Sequence, residues 1–302
     1  MNGINYENYL RQLGFTQSEI DQSITPDLDT LRRLQLSHLI HYPFQSLTTV
    51  LGRPVDLEEE VVYDKLVERR EGGYCYELNG LFLSLLRYLG YEAGIVTGSV
   101  IIDDNLEARN PRTHTALMVT IDKTTYLVDV GFGGLAPTAP LIFTFDQEEV
   151  HIQTTPHGRY KIIKDESVQD CISPEFSHAK VNRGRYILCS EAESKWKMLY
   201  AFYFFPLAKI DLIVGNWYVS THPESPFRNK LMASRVDEHG VRHTLSGNKY
   251  QRHQVGQPSQ SKILDGVDEL LSQLKDVFLM DGVSQLTPDE RRDLTNFLQD
   301  TV

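Results

Sequence analysis

A chain of 302 residues exceeds the usual size of one compact domain, and 41% hydrophobic with 24% charged residues supplies a packed core, which excludes a disordered protein. Thirty basic against 41 acidic residues give a net charge of −11 with no dense Lys/Arg cluster, so nucleic acid and an anionic membrane are not expected partners. Three cysteines, Cys75, Cys171 and Cys189, are odd in number and lack CxxC spacing, which argues against a disulfide framework or a zinc cage and leaves a single thiol as the form cysteine chemistry would take.

The first ninety residues read as helices. Tyr6, Tyr9, Leu10 and Leu13 form one apolar stripe, and Leu28, Leu31 and Leu39 another. Thr25-Pro26 is expected to open the second helix, and Asp56 with Glu59 resembles a capping box ahead of Val61, Val62, Leu66 and Val67. From Cys75 the stripe Leu78, Phe82, Leu85, Leu86 and Leu89 predicts a buried helix, introduced by Gly72-Gly73 and ended by Gly90. From about residue 92 the pattern changes to strands: Ile95 to Ile102, His114 to Ile121, Thr124 to Val130, Tyr160 to Ile163 and Tyr186 to Leu188, an antiparallel sheet or barrel. Beyond 200, strands are expected at Tyr200 to Phe205 and Trp217 to Ser220. His253 to Ser261 reads as a linker, followed by a helix from Ile263 to Leu279 and a shorter one opened by Thr287-Pro288. The opening MNGINYENYLRQLG has no cationic segment before an apolar run, and no apolar stretch reaches the ~18 residues of a membrane span, so the cytoplasm is the expected compartment.

Cys75 falls in the first turn of its helix, where the positive end of the macrodipole and unpaired N–H groups favour a thiolate. Free cysteines are most often small core residues, but two glycines before this one and polar Glu77 and Asn79 after it suit a site better than a core. A thiol nucleophile gains from a histidine base held by a carboxylate. His114 opens one strand of a hairpin and Asp129 ends the next, so a tight turn at Asp122-Lys123 brings the two within a residue or two of each other across the ladder. Cys171 and Cys189 have no such partners. His38, His41, His222 and His243 lack metal-ligand spacing, and no metal is expected.

These residues resemble the arylamine N-acetyltransferases. The family pattern is Arg-Gly-Gly-x-Cys-x-Glu-x-Asn, then a histidine, then an aspartate followed by Gly-Phe-Gly. It stands here as Glu71-Gly72-Gly73-Tyr74-Cys75-Tyr76-Glu77-Leu78-Asn79, then Pro111-Arg112-Thr113-His114, then Val128-Asp129-Val130-Gly131-Phe132-Gly133-Gly134. Pro43-Phe44 with Leu47 is similar to the family's Pro-Phe-Glu-Asn-Leu segment, and Asn216-Trp217-Tyr218 through Pro223, Ser225 and Phe227 to a later stretch. The chain departs from the family at Glu71, in place of arginine, where Arg69 or Arg70 would have to supply the ion pairing. It departs again at Gln45-Ser46, in place of Glu-Asn.

The resemblance implies an α+β fold with a cysteine-protease-like or transglutaminase-like core: a helical bundle over 1–90, an antiparallel β-barrel over 91–200 and an α/β lid over 201–302. It also implies a catalytic triad of Cys75, His114 and Asp129, and ping-pong transfer of an acetyl group from acetyl-coenzyme A to an aromatic amine, hydroxylamine or hydrazine. Phe132 and Tyr74 are the candidate acceptor contacts, and Gly131, Gly133, Gly134, Tyr218 and Ser225 the candidate coenzyme A contacts. The same Cys, His, Asp order also serves amide synthases, transglutaminases and papain-like peptidases, and the residues alone leave that alternative open.

Overall fold

The computed structural model describes residues 3–106, 110–145, 150–165, 185–192 and 194–300. Three helices begin the chain: α1 (Tyr6–Gln12), α2 (Gln17–Asp21) and α3 (Leu28–His41). Asp27, not Thr25-Pro26, opens α3, because its carboxylate accepts the Thr30 N–H at 2.8 Å, a bond that Thr25 stands too early to make. The short strand β1 (Phe44–Gln45) and helix α4 (Leu47–Val50) lead to α5 (Glu59–Tyr63), which runs into one π-helical turn at Asp64–Glu68. The expected capping box at Asp56 is not formed. Glu58 occupies the N-cap, and Asp56 accepts only the Glu58 N–H. Helix α6 (Cys75–Tyr88) follows the apolar stripe as predicted: Leu78, Phe82, Leu85 and Leu86 are fully buried, each contributing about 1.5–3 kcal/mol. Gly90, at φ 90°, ends it.

Eight strands then form one antiparallel sheet: β2 (Glu92–Val100), β3 (His114–Ile121), β4 (Thr124–Val128), β5 (Leu141–Phe143), β6 (Gln153–Thr155), β7 (Gly158–Asp165), β8 (Arg185–Ala192) and β9 (Lys195–Tyr203). Their order is β5-β4-β3-β2-β9-β8-β7-β6. The two edges approach each other, and the Gln153 amide bridges them by accepting the Ile142 N–H and donating to the Ile142 carbonyl, so the sheet is a nearly closed barrel. Its interior is aromatic, with Phe143, Tyr160, Tyr186, Tyr200 and Phe202 at 2% exposure or less. A second core, shared by α1, α3 and α6, presses on the other face through Leu117, Val119 and Val128.

The last third differs most from expectation. The run Trp217 to Ser220 is not a strand but part of helix α7 (Lys209–Thr221). Asn216, Val219 and Ser220 face inward at helical spacing while Trp217 is 63% exposed, so packing overrides the strand propensity of the run. After α8 (Pro226–Asn229) come β10 (Met232–Val236), β11 (Val241–Ser246), β12 (Lys249–Gln254) and β13 (Gln260–Ile263), which with β1 make an antiparallel sheet ordered β1-β10-β11-β12-β13. The expected linker therefore holds the end of β12 and the start of β13, and Ile263 belongs to a strand. Helix α9 (Gly266–Asp276) starts three residues later. Helix α10 (Pro288–Asp300) opens at Thr287 as predicted, but at 13 residues it is longer than α9, with 11. The architecture is α+β: helices, a nearly closed barrel, and a C-terminal sheet with its own helices. No helix among the described residues is long and apolar enough to cross a membrane.

Candidate active site

The segment before Cys75 is shaped by an earlier stretch of the same chain. Residues 43–45 run beside Gly72-Gly73, with the Gln45 N–H donating to the Gly73 carbonyl at 2.8 Å and the Gly73 N–H to the Pro43 carbonyl at 3.1 Å. Gly72 has φ 69°, and a Cβ there would lie 2.7 Å from the Pro43 oxygen, so only glycine fits. Glu77, in the first turn of α6, reaches back to accept the Tyr74 N–H at 3.0 Å and pairs with the buried Lys65 ammonium at 2.5 Å. These bonds fix the helix start. Cys75 is its first residue, 2% exposed, and its thiol donates to the Thr113 carbonyl at 3.6 Å.

The other two groups come from the hairpin. Asp122 and Lys123 both have positive φ, a tight turn that pairs Leu117 with Val128 and so carries Asp129 to the level of Ala116, two residues from His114 on the same face. His114 Nε2 lies 2.7 Å from Asp129 Oδ2. The other carboxylate oxygen accepts the Asn79 side-chain amide at 3.1 Å and the Gly131 N–H at 2.8 Å, so a fully buried Asp129 has three donors around it. Burial opposes a charge on His114, but the charge and hydrogen bond of Asp129, joined by the nearby Cys75 thiol, outweigh it and raise the imidazole from 6.5 to about 10. With Nε2 committed to Asp129, Nδ1 is the ring nitrogen left for the thiol.

Sulfur and imidazole lie on the wall of a cavity of about 510 Å³, lined also by Phe44, Phe132, Tyr218, Phe227 and Lys230. Phe132 packs edge-on against His114, ring centres 5.2 Å apart, and Tyr200 covers the imidazole at 4.5 Å. Of the residues singled out from sequence, Gly131, Gly133, Gly134, Tyr218 and Ser225 also line the cavity. Gly131 is required there by packing, since a Cβ would come within 2.7 Å of Cys75 Cα. The Ser225 hydroxyl is already used, donating to the Val219 carbonyl at 2.6 Å and accepting from the Phe227 N–H. Tyr74 is not brought to the cavity: it is 1% exposed, packs with Tyr76, Val219 and Phe227, and its hydroxyl donates to Asn216.

Glu71 finds cations of its own. It pairs with Arg69 and with Arg53, and Arg53 reaches on to Glu290 of α10 at 2.6 Å, while Arg70 pairs with Asp281. Gln45 donates to the Gly72 carbonyl at 3.1 Å, and Ser46 to the Lys230 carbonyl at 2.8 Å. Sequence reading missed the role of Asn79, whose amide bonds Thr115, Asp129 and Val130 and so ties α6 to the hairpin. A buried asparagine one helical turn after the cysteine was the available signal. Cys189 lies in β8, 2% exposed, its thiol raised to about 11 by burial. Cys171 lies outside the described residues. Among the described residues no group of three or more His, Cys, Asp or Glu side chains is placed to hold a metal ion.

A buried thiol, imidazole and carboxylate on an apolar cavity are the equipment of group transfer through sulfur, and the N-acetyltransferase family model matches residues 27–284. The chain is 34% identical to an arylamine N-acetyltransferase of Mycolicibacterium smegmatis over 269 residues, covering 86% of this chain and 88% of the relative. It is 31% identical to that of Escherichia coli (strain K12), over 83% and 82% of the two chains. The solved structure of Mycobacterium marinum arylamine N-acetyltransferase in complex with CoA superposes with a TM-score of 0.82 at 32% identity, over 98% and 99% of the chains. The chain belongs to the arylamine N-acetyltransferase family, a family of transferases.

Proposed function

We propose that this enzyme moves an acetyl group from acetyl-coenzyme A to an aromatic amine, hydroxylamine or hydrazine by a ping-pong route, with Cys75 as nucleophile, His114 as base and acid, and Asp129 as the group that holds the imidazole. The observation that carries the proposal is the convergence of Cys75 and the 2.7 Å His114–Asp129 pair on one cavity. In the first half, the thiol proton passes to His114 Nδ1 and sulfur attacks the thioester carbonyl. Coenzyme A then leaves with a proton from the imidazolium. In the second half, the amine attacks acetyl-Cys75, His114 takes the amine proton, and the amide departs as the thiol is restored.

The raised basicity of His114 suits the first half, in which the ring takes up the thiol proton. Phe44, Phe132 and Phe227 offer a flat acceptor an apolar wall and exclude water from the acyl-cysteine. Gly131, Gly133, Gly134 and Tyr218 are assigned to the donor. Ser225 acts on it through α8 rather than by a free hydroxyl, and Tyr74 supports the loop rather than touching the acceptor. The division into a helical part (1–90), a barrel (91–200) and a lid (201–302) belongs to the same proposal, as does a cytoplasmic location, where the thiol stays reduced. Mass spectrometry after incubation with acetyl-coenzyme A alone tests it. The expected result is one added acetyl group mapped to Cys75, released on addition of an arylamine. An unmodified Cys75 would overturn the mechanism.

A further inference from the structure

Arg242, on β11, is 6% exposed, yet among the described residues no carboxylate lies within ion-pair distance of it. Its guanidinium is instead spent on neutral oxygens. Nε donates to the His157 carbonyl at 3.2 Å, Nη1 to the Gly134 carbonyl at 3.1 Å, and Nη2 to the Ala136 carbonyl at 3.0 Å and the Tyr160 hydroxyl at 2.6 Å. Tyr160 in turn donates to the Leu135 and Ala136 carbonyls, at 3.2 and 3.0 Å. Burying an unpaired guanidinium is costly, so so many ordered acceptors point to a positional task.

The turn it grips follows directly on Asp129-Val130-Gly131-Phe132. The same sheet supports the turn by contact: a Cβ on Gly134 would meet the Thr244 methyl of β11 at 3.0 Å, and Gly133, at φ 90°, lies against Phe44 of β1 and Ser234 of β10. We propose that Arg242 is a positioning residue for the reaction: from the C-terminal sheet it clamps the 133–136 turn to the barrel and so holds Phe132 against His114 and sets the width of the cavity. This rests on the function proposed above. Lysine cannot replace it, since one ammonium has no planar fork to reach four oxygens spread over two loops and strand β7.

The test replaces Arg242 by Lys and by Gln, with Tyr160→Phe as a milder variant, and places 4-fluorophenylalanine at position 132. The fluorine resonance reports the ring directly. It is expected to shift or broaden in Arg242→Lys and Arg242→Gln, and less in Tyr160→Phe. In turnover, KM is expected to rise by at least about tenfold in the Arg242 variants, with Lys no better than Gln, while Cys75 alkylation by iodoacetamide stays within about twofold, because α6 and β3 still hold the thiol and imidazole. A purely structural role would lower the melting temperature and leave KM alone. An unchanged resonance, or KM restored by lysine, overturns the proposal. Should both Arg242 variants fail to fold, an unchanged resonance in Tyr160→Phe does so. Failure of the functional reading shows separately, as absence of acetyl transfer in the unsubstituted enzyme.

Discussion

Cys75 and Cys189 are equally hidden, each 2% exposed, and they differ in everything else. Cys189 sits mid-strand among Ile101, Ile187 and Ala201, where burial, opposed by the charge of Lys161 and aided by that of Asp104, raises the thiol to about 11. Cys75 begins a helix, borders a cavity and has His114 beside it. Accessibility therefore does not separate the thiol proposed as nucleophile from the other. The helix start, the imidazole and the open volume beside the sulfur do.

Replacing each thiol breaks the comparison most sharply. Cys75→Ser should lower acetyl transfer by at least about 10³-fold, because a hydroxyl beside the same imidazole is a far weaker nucleophile toward a thioester. Cys189→Ser should leave turnover within about twofold. Steady-state kinetics on both variants decides this, and comparable losses in the two would remove the distinction.

Asp129→Asn probes what Cys189 lacks. An amide nitrogen at that position donates to Nε2, so the ring proton moves to Nδ1, facing the sulfur, and transfer should fall on the order of 10³-fold with the fold intact. The same variant carries a pH signature. A folded value raised from 6.5 to about 10 means that the imidazolium's contribution to stability is complete below pH 6.5 and lost as pH rises through about 10. The gap in melting temperature between the unsubstituted protein and Asp129→Asn should therefore narrow from pH 6.5 to about 10. A constant gap would mean that the ring is not held protonated.

The parts of the site that were legible in the sequence are those built from local rules. The glycine pair, the apolar stripe of α6 and the tight hairpin turn each act over a few residues, and together they place Cys75, His114 and Asp129 close to where they stand. What escaped was set by distant packing. Tyr74 turns away from the cavity because Asn216, from α7, takes its hydroxyl. The Trp217 to Ser220 run is helical because that spacing turns Val219 and Ser220, with Asn216 before them, inward together. Strands β12 and β13 carry polar residues on both faces, Lys249 to Gln254 and Gln260 to Lys262, so no alternation announced them. Arg69, two residues from Glu71, was a legible partner, whereas Arg53, which pairs with both Glu71 and Glu290, joins segments far apart in the chain.

The most direct measurement of the central claim is competitive alkylation of the native protein with iodoacetamide, followed peptide by peptide. Cys75 should react at least about tenfold faster than Cys189, and the difference should vanish on unfolding. Equal rates in the folded protein would contradict the claim that its neighbours, rather than its exposure, make Cys75 reactive.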